Sequence, residues 1–483
     1  MNIPIILLVL LSIPALSIPI IHLLFGKKGI NYIRYLTASS LLISLLLLFG
    51  SLIGLISQES TLPHLIRTDL LGSFFGFIVI LVSLFVVISS FDYMKDHSNE
   101  AIYYSLLLFT SIGMLLLSFA VDLLLIFVAW ELMSLPTFIL AGFNKQDKLS
   151  NEGAVKFFIL GALSSGILLY GISLIFGLVG STNLYVIANN FESLDPTLIP
   201  LVMFGTIALL AGLGLKLSIV PFHMWIPDTY QGSPTTVSTL LSAATKKAGF
   251  AAAIRIFAVI FPLFAFDLSF ALAIVAVLTM SLGNLAALTQ KSITRLLAYS
   301  SIAQAGYLLI GLVVMPYSDL GLIGLLYHSF NHAILQATAF LAVALVRLKT
   351  SSTNLTSYQG LSKIMPITSF CLAISLLGLA GFPPLNGFWS KLVLFGAAVD
   401  GGYAWLAFIG LINSAISVAY YLLVIKRMYM DESKTVSNII EPIAFKSVLL
   451  FATIVIIMTG LFPNLIYDLS QEITNSFLTN SLV

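Results

Sequence analysis

The chain has 483 residues, of which 59% are hydrophobic and only 9% charged, with a formal net charge of +2. That is too little charge to cover a soluble globule of this size, so the composition defines a polytopic membrane protein and offers no basic surface for nucleic acid. The single cysteine, Cys371, excludes a disulfide framework and any cysteine-held cluster or zinc site formed by this chain alone.

Runs of about 20 apolar residues are the unit of counting. They place spans near 3–25, 35–57, 70–91, 101–119, 122–143, 154–179, 197–221, 235–263, 268–288, 295–314, 319–347, 366–399, 403–426 and 444–467. The expected fold is all-α, with about fourteen transmembrane helices. The first run, 3–25, follows no basic stretch and lacks a small-residue cleavage site, so it reads as a first transmembrane helix rather than a removed signal. The longest polar gaps, Asn183 to Pro196 and Lys349 to Lys363, are too short to fold alone.

Basic residues set the orientation. With these spans, Lys27, Lys28, Arg34, Lys95, Lys145, Lys148, Lys291, Arg295, Arg347, Lys349, Lys363, Lys426, Arg427, Lys434 and Lys446 fall on one face, and Arg67 alone on the other. The first face is therefore expected in the cytoplasm, with both termini outside.

Two spans are interrupted. From Leu215 to Pro234 the chain carries Lys216 in an apolar run, breaks at Pro221 and restarts at Pro234. From Gly378 to Lys391, Gly381, Pro383, Pro384 and Gly387 stop a helix while apolar residues continue on both sides. Broken helices at membrane depth are tolerated only inside protein or beside a wet cavity. A lysine near each break suggests two inverted five-helix repeats with sites at their centre. The expected division is a three-helix segment over 1–100, a first repeat over 101–265, a second over 266–426 and a C-terminal helix over 427–483.

Few ionisable groups then remain within spans: Glu131, Lys156, Lys216, Lys246, Lys247, Arg255, His328, His332 and Lys391, with His22 near an end. Intramembrane charges mark ion paths by default. Glu131 is the only carboxylate placed deep in a span, and Lys216 is its natural cationic partner. A pair that trades a proton and an ion pair that fixes helix register both remain open. Lys246 and Lys247 point about 100° apart, so one is expected to face a shared axis and the other to snorkel or meet a neighbour. Lys391 stands where such a path would end. Arg255 cannot deprotonate in practice and reads as structural. Lys156, near a cytoplasmic end, either modulates the Glu131–Lys216 pair or snorkels. His328 and His332, at i and i+4, share a helix face that Gln336 extends. They read as a relay, since imidazole titrates near neutral pH, or as a structural pair; a metal site lacks a carboxylate or cysteine nearby in sequence. His223 sits at the first break, where Asp228 or a backbone carbonyl would orient it.

The segments V-P-F-H-M-W-I-P-D-T-Y-Q-G-S-P (Val220 to Pro234), R-L-L-A-Y-S-S-I-A-Q-A-G-Y (Arg295 to Tyr307) and the Gly-Pro break before Lys391 resemble the antiporter-like membrane subunits of respiratory complex I and its relatives. Those in turn look like the large subunits of multisubunit sodium/proton antiporters. The likeness covers most of the chain, and its wording is most similar to the N type, chain 2. By position it implies a Glu131–Lys216 pair followed by Lys246 and Lys391. The Y-H-S-F-N-H-A-I-L-Q-A segment departs toward the L, M and antiporter pattern, with Gln336 in place of a lysine, which suggests a divergent, archaeal lineage. The resemblance implies a proton-translocating subunit in a prokaryotic plasma membrane, with no redox cofactor of its own. Its partners would be other membrane-arm subunits, the bilayer and protons. The complex would pass electrons from NADH, ferredoxin or a deazaflavin such as reduced coenzyme F(420) to a quinone or methanophenazine. Alternatives are a subunit of an Mrp-type sodium/proton antiporter or membrane-bound hydrogenase, and a structural arm subunit with a dead channel.

Overall fold

The computed structural model describes residues 3–56, 64–95, 97–191, 194–432 and 439–481. Among these residues the chain is helical with only isolated β-bridges. Lys434, one of the basic residues used for orientation, lies outside them.

The N-terminal segment is α1 (Ile3–Phe25), α2 (Ile30–Leu52) and α3 (Leu70–Tyr93). Then come α4 (Glu100–Phe119), α5 (Leu123–Ala141), α6 (Lys148–Val179), the short α7 (Leu184–Phe191) and α8 (Ile199–Leu217). Short polar residues start several of these helices. Asp69 accepts from Gly72 N at 2.8 Å, Asp122 from Leu124 N at 2.9 Å and Asp147 from Leu149 N at 2.9 Å, each satisfying a backbone donor that a helix start leaves unpaired. α4 and α5 approach closely because Gly113 has no Cβ; one there would fall on the Met133 backbone.

After the first break, α9 (Ile226–Gly232) and α10 (Thr235–Leu240) lead through one wide π turn, Leu241–Thr245, into α11 (Lys246–Leu288). The spans expected at 235–263 and 268–288 are two helices that meet within α11 at a kink, Phe264, whose φ of −137° and ψ of 29° leave the helical region. α12 (Ile293–Val314) and α13 (Asp319–Thr350) follow. Beyond the short α14 (Leu361–Ile364), the second interrupted span is split into α15 (Pro366–Ala380) and α16 (Asn386–Asp400). α17 (Ala404–Tyr429), α18 (Ile443–Leu461) and α19 (Asn464–Ser481) complete the chain. The C-terminal segment expected as one helix is two. Phe462, at φ −119° and ψ 68°, ends α18 just before Pro463, and α19 packs on α13 and α3 with Ile473 buried.

Eleven helical stretches among the described residues are long and apolar enough to cross a membrane, with Ile3–Leu52 counted as one run. α13 is the centre: it touches α3, α10, α12, α15, α16, α18 and α19, and its whole apolar window is buried. α6 and α17 are peripheral, with apolar side chains such as Phe158, Leu163, Phe408 and Leu411 exposed on their outer faces. Exposed apolar faces around a buried core carrying polar side chains are what a bilayer solvent requires.

Candidate functional site

The two breaks use the same helix end. Ser218, in the left-handed region at φ 67°, follows α8; its N–H donates to Leu215 O at 3.2 Å and Ile219 N–H to Gly214 O at 3.1 Å. Gly381, at φ 90°, follows α15; its N–H donates to Gly378 O at 3.0 Å and Phe382 N–H to Leu377 O at 3.0 Å. Both are the paired 6→1 and 5→2 closure that satisfies the last carbonyls of a helix. The peptides Val220–Pro221 and Pro383–Pro384 are cis.

Lys216, two residues before the first closure, is buried. Its Nζ lies 4.7 Å from the centroid of Phe157 and 5.6 Å from that of Phe138, with one oxygen, Thr137 Oγ1, at 3.4 Å. Glu131 lies mid-way along α5 and is half-buried; Ser165 Oγ donates to its Oε1. Among the described residues no contact ion pair joins Glu131 to Lys216, the pair expected from charge and from the resemblance, yet the two lie near enough for the charges to act on each other. Ring faces of α5 and α6 hold the ammonium, while the carboxylate is turned toward Ser165 on α6.

From Lys216 toward the centre the groups are aromatic. Phe157 stacks on Trp225 at 4.0 Å and 7°, Trp225 meets Tyr230 edge-on at 6.0 Å, and the Tyr230 ring lies 5.9 Å from Lys246 Nζ. Lys246 donates to Ser301 O at 3.0 Å and to Ser301 Oγ. Lys247 lies 2.6 Å from His332 Nδ1. Both adjacent lysines are buried, contrary to the expectation that one snorkels. The start of α11 is enclosed on every side, so a 100° rotation still points inward. Lys247, not Lys246, is the one that meets the histidines.

The rings of His332 and His328 lie 6.0 Å apart at 19°. His328 Nδ1 lies 2.9 Å from Ser390 Oγ, and its Nε2 donates to Gln304 Oε1 at 3.0 Å. Gln304 Nε2 donates to Leu379 O at 3.1 Å, and the same carbonyl accepts from Lys391 Nζ at 2.8 Å. Lys391 also donates to Ala380 O at 3.2 Å and Ser414 Oγ at 3.0 Å, and lies 4.9 Å from the Tyr307 ring. A cation on the last carbonyls of α15 complements the negative end of that helix. His332 Nε2 and Gln336 Oε1, one turn apart on α13, are buried without a hydrogen-bond partner. Lys247, His332, His328, Gln304 and Lys391 therefore form one row through the core. Ser301, Gln304 and Tyr307 were missed as site residues, although their i, i+3, i+6 spacing on α12 puts them on one face of the helix.

The remaining candidates stand apart from this row. Lys156 pairs with Glu152 and with Asp228, each at 2.6 Å. Asp228 also binds Arg295 at 2.6 Å, so of the two groups expected to orient His223 the backbone, at Pro221, is the one beside it. Arg255 grips both oxygens of Asp69, at 2.8 and 2.7 Å, and the Ser118 carbonyl at 3.0 Å, tying α11 to the start of α3 and the end of α4. Among the described residues no cluster of three or more His, Cys, Asp or Glu could hold a metal ion.

The fold and the row of buried cations define a polytopic antiporter-like membrane protein. Residues 120–417 match the NADH:quinone oxidoreductase/Mrp antiporter membrane family, and the chain belongs to it. It is 38% identical over 459 residues to F(420)H(2) dehydrogenase subunit N of Methanosarcina mazei, covering 92% of each chain. It is 36% identical over 469 residues to NADH-quinone oxidoreductase subunit N of Trichlorobacter lovleyi, covering 96% of this chain and 95% of that one. A chain of respiratory complex I from Thermus thermophilus superposes with a TM-score of 0.81 at 29% identity, covering 96% of this chain and 98% of that one.

Proposed function

We propose that the protein is a proton-translocating subunit in the membrane arm of a complex I-type dehydrogenase, moving protons along Lys216, Lys246, Lys247, His332, His328 and Lys391. The observation that carries the reading is the buried row from Lys247 to Lys391, in which each ionisable group lies within hydrogen-bond or ring contact of the next polar group. So many buried cations with so few carboxylates are costly in a bilayer core and are kept where ions move. Lys247 meets His332 directly across the step from α11 to α13, and water at the unpaired atoms of His332 and Gln336 would extend the row along α13. Glu131 is the anion whose approach to Lys216 would gate the row. Moving one charge across 100 mV costs about 2.3 kcal/mol, the size of one or two pKa units at about 1.4 kcal/mol each. Local rearrangement at one ion pair is therefore enough to drive the step.

Electron transfer belongs to other subunits in this reading, and this chain carries no redox group. The donor is NADH or F(420)H(2), as in the names of its relatives, and the acceptor a quinone or methanophenazine. Fourteen spans follow when Ile3–Leu52 counts as two and when the helical stretch from α10 to Phe264 and the α15–α16 pair count as one each. The matched closures at Ser218 and Gly381 support two inverted repeats. In this reading the excess of basic loop residues on one face favours both termini outside. The test is proton uptake or release by the assembled complex in sealed vesicles, at matched electron-transfer rate, with wild type beside Lys216→Ala. Pumping is expected to be lost in the variant; normal pumping overturns the proposal. Sodium-dependent transport by the isolated chain would instead support the antiporter reading.

A further inference from the structure

The short helix α9 is gripped by cations from three neighbours. Asp228, its only charged residue, is bridged by Lys156 of α6 at 2.6 Å and Arg295 of α12 at 2.6 Å. Arg295 also donates to Gln231 Oε1 at 3.1 Å. Arg347 of α13 donates to Ser233 O at 3.0 Å and Gln231 O at 3.4 Å, carbonyls at the end of α9. Two aromatic rings stand between the first lysine and the central ones, one on α9 and one on the residue that starts it. Trp225 precedes Asp228 by three residues and stacks on the Phe157 ring that faces Lys216. Tyr230 follows it by two residues and faces Lys246. Asp228 itself touches none of the buried lysines in the row.

We infer that Asp228 is a positioning residue: bridged by Lys156 and Arg295, it sets where α9 holds Trp225 and Tyr230, and so sets the passage from Lys216 to Lys246. The inference rests on the proton-path reading above. Its physical logic is charge balance. With Asp228 ionised, two cations on different helices share one carboxylate and hold α9 between them. With the carboxylate neutralised, Lys156 keeps Glu152 and Arg295 keeps Gln231, so the outer face of α9 loses its charged anchor while Arg347 still holds its end. Lys156→Met leaves the Arg295 half of the bridge in place and has the smaller effect.

The experiment compares Asp228→Asn, Asp228→Glu and Lys156→Met in the assembled complex in sealed vesicles, reading protons moved per electron at matched electron-transfer rate alongside the amount of assembled complex. Asp228→Asn is expected to lower the ratio about fivefold and Lys156→Met about twofold, the range for a residue that acts through others. Asp228→Glu, which keeps the charge, is expected to restore most of the ratio. A purely structural role would change the amount of complex and leave the ratio untouched. A wild-type ratio in Asp228→Asn overturns the inference. If that variant does not assemble, the Lys156→Met, Arg295→Met double variant, which keeps the carboxylate, is read in the same way; failure of both to assemble makes the bridge structural only and also overturns it. Lys216→Ala separates the two claims. Normal pumping there removes the proton path itself, while lost pumping there with a wild-type ratio in Asp228→Asn removes only the positioning role.

Discussion

The first break, Ser218 to Trp225, and the second, Gly381 to Leu385, close the preceding helix with the same pair of backbone hydrogen bonds, yet they treat their lysines in opposite ways. Lys216 stands before its break. Its ammonium faces two aromatic rings and one hydroxyl at 3.4 Å. Lys391 stands after its break and reaches back to two carbonyls of the helix end and one serine, all within 3.2 Å. The amine nitrogen thus has hydrogen-bond acceptors at the second site and mainly ring faces at the first. Two sites with one backbone design solvate the same side chain differently, and in the proposed path they would be its unlike ends.

The largest effect that tests this contrast comes from exchanging function for stability. Lys391→Met and Lys216→Ala should each lower pumping by about tenfold or more at matched electron transfer. Only Lys391→Met should also lower the heat resistance of the assembled complex markedly, by about 1–3 kcal/mol, because it removes charge-assisted hydrogen bonds to helix-end carbonyls. Gln304 and Ser414 still donate to those carbonyls, so the complex is expected to assemble. Equal loss of heat resistance in the two variants would mean that the ends are solvated alike.

A smaller effect isolates the ring faces. Phe157→Leu keeps an apolar side chain beside Lys216 but removes the ring 4.7 Å from its Nζ and the stack on Trp225. A desolvated cation–π contact is worth about 2 kcal/mol, so pumping should fall several-fold. Tyr307→Leu removes the corresponding ring at Lys391, 4.9 Å away, where three oxygens remain. It should have the weaker effect on the same vesicle measurement, and the reverse order would break the contrast.

Much of this arrangement could be read from local pattern. The breaks announce themselves through clustered Gly and Pro within apolar runs, and the His328–His332 face through its i,i+4 spacing. The partners could not be read. Lys247 finds His332 from 85 residues away and Lys156 finds Asp228 from 72, distances over which pattern carries no register. Charge matching and the family resemblance both joined Glu131 to Lys216; packing added Phe157, Phe138 and Ser165 around them, side chains with no visible claim on a charge. The inward pointing of both Lys246 and Lys247 depends on enclosure of α11, a property of the whole bundle rather than of any window.

The smallest effect lies in the two closures themselves. Both need a residue in the left-handed region, but the second break has Gly381 at φ 90° and the first has Ser218 at φ 67°. A side chain in that region costs about 1–2 kcal/mol, while glycine enters it freely. Gly381→Ala should therefore lower the heat resistance of the complex by about 1 kcal/mol, and Ser218→Gly should leave it unchanged or raise it by a similar amount. At Gly381 the added Cβ would also come within 3.3 Å of Lys391 Cδ and 3.6 Å of its Nζ. Gly381→Ala should then disturb pumping as well, whereas Ser218→Gly should not. If heat inactivation moves the same way in both variants, the shared closure is held by different forces at the two breaks, and their likeness is one of shape alone.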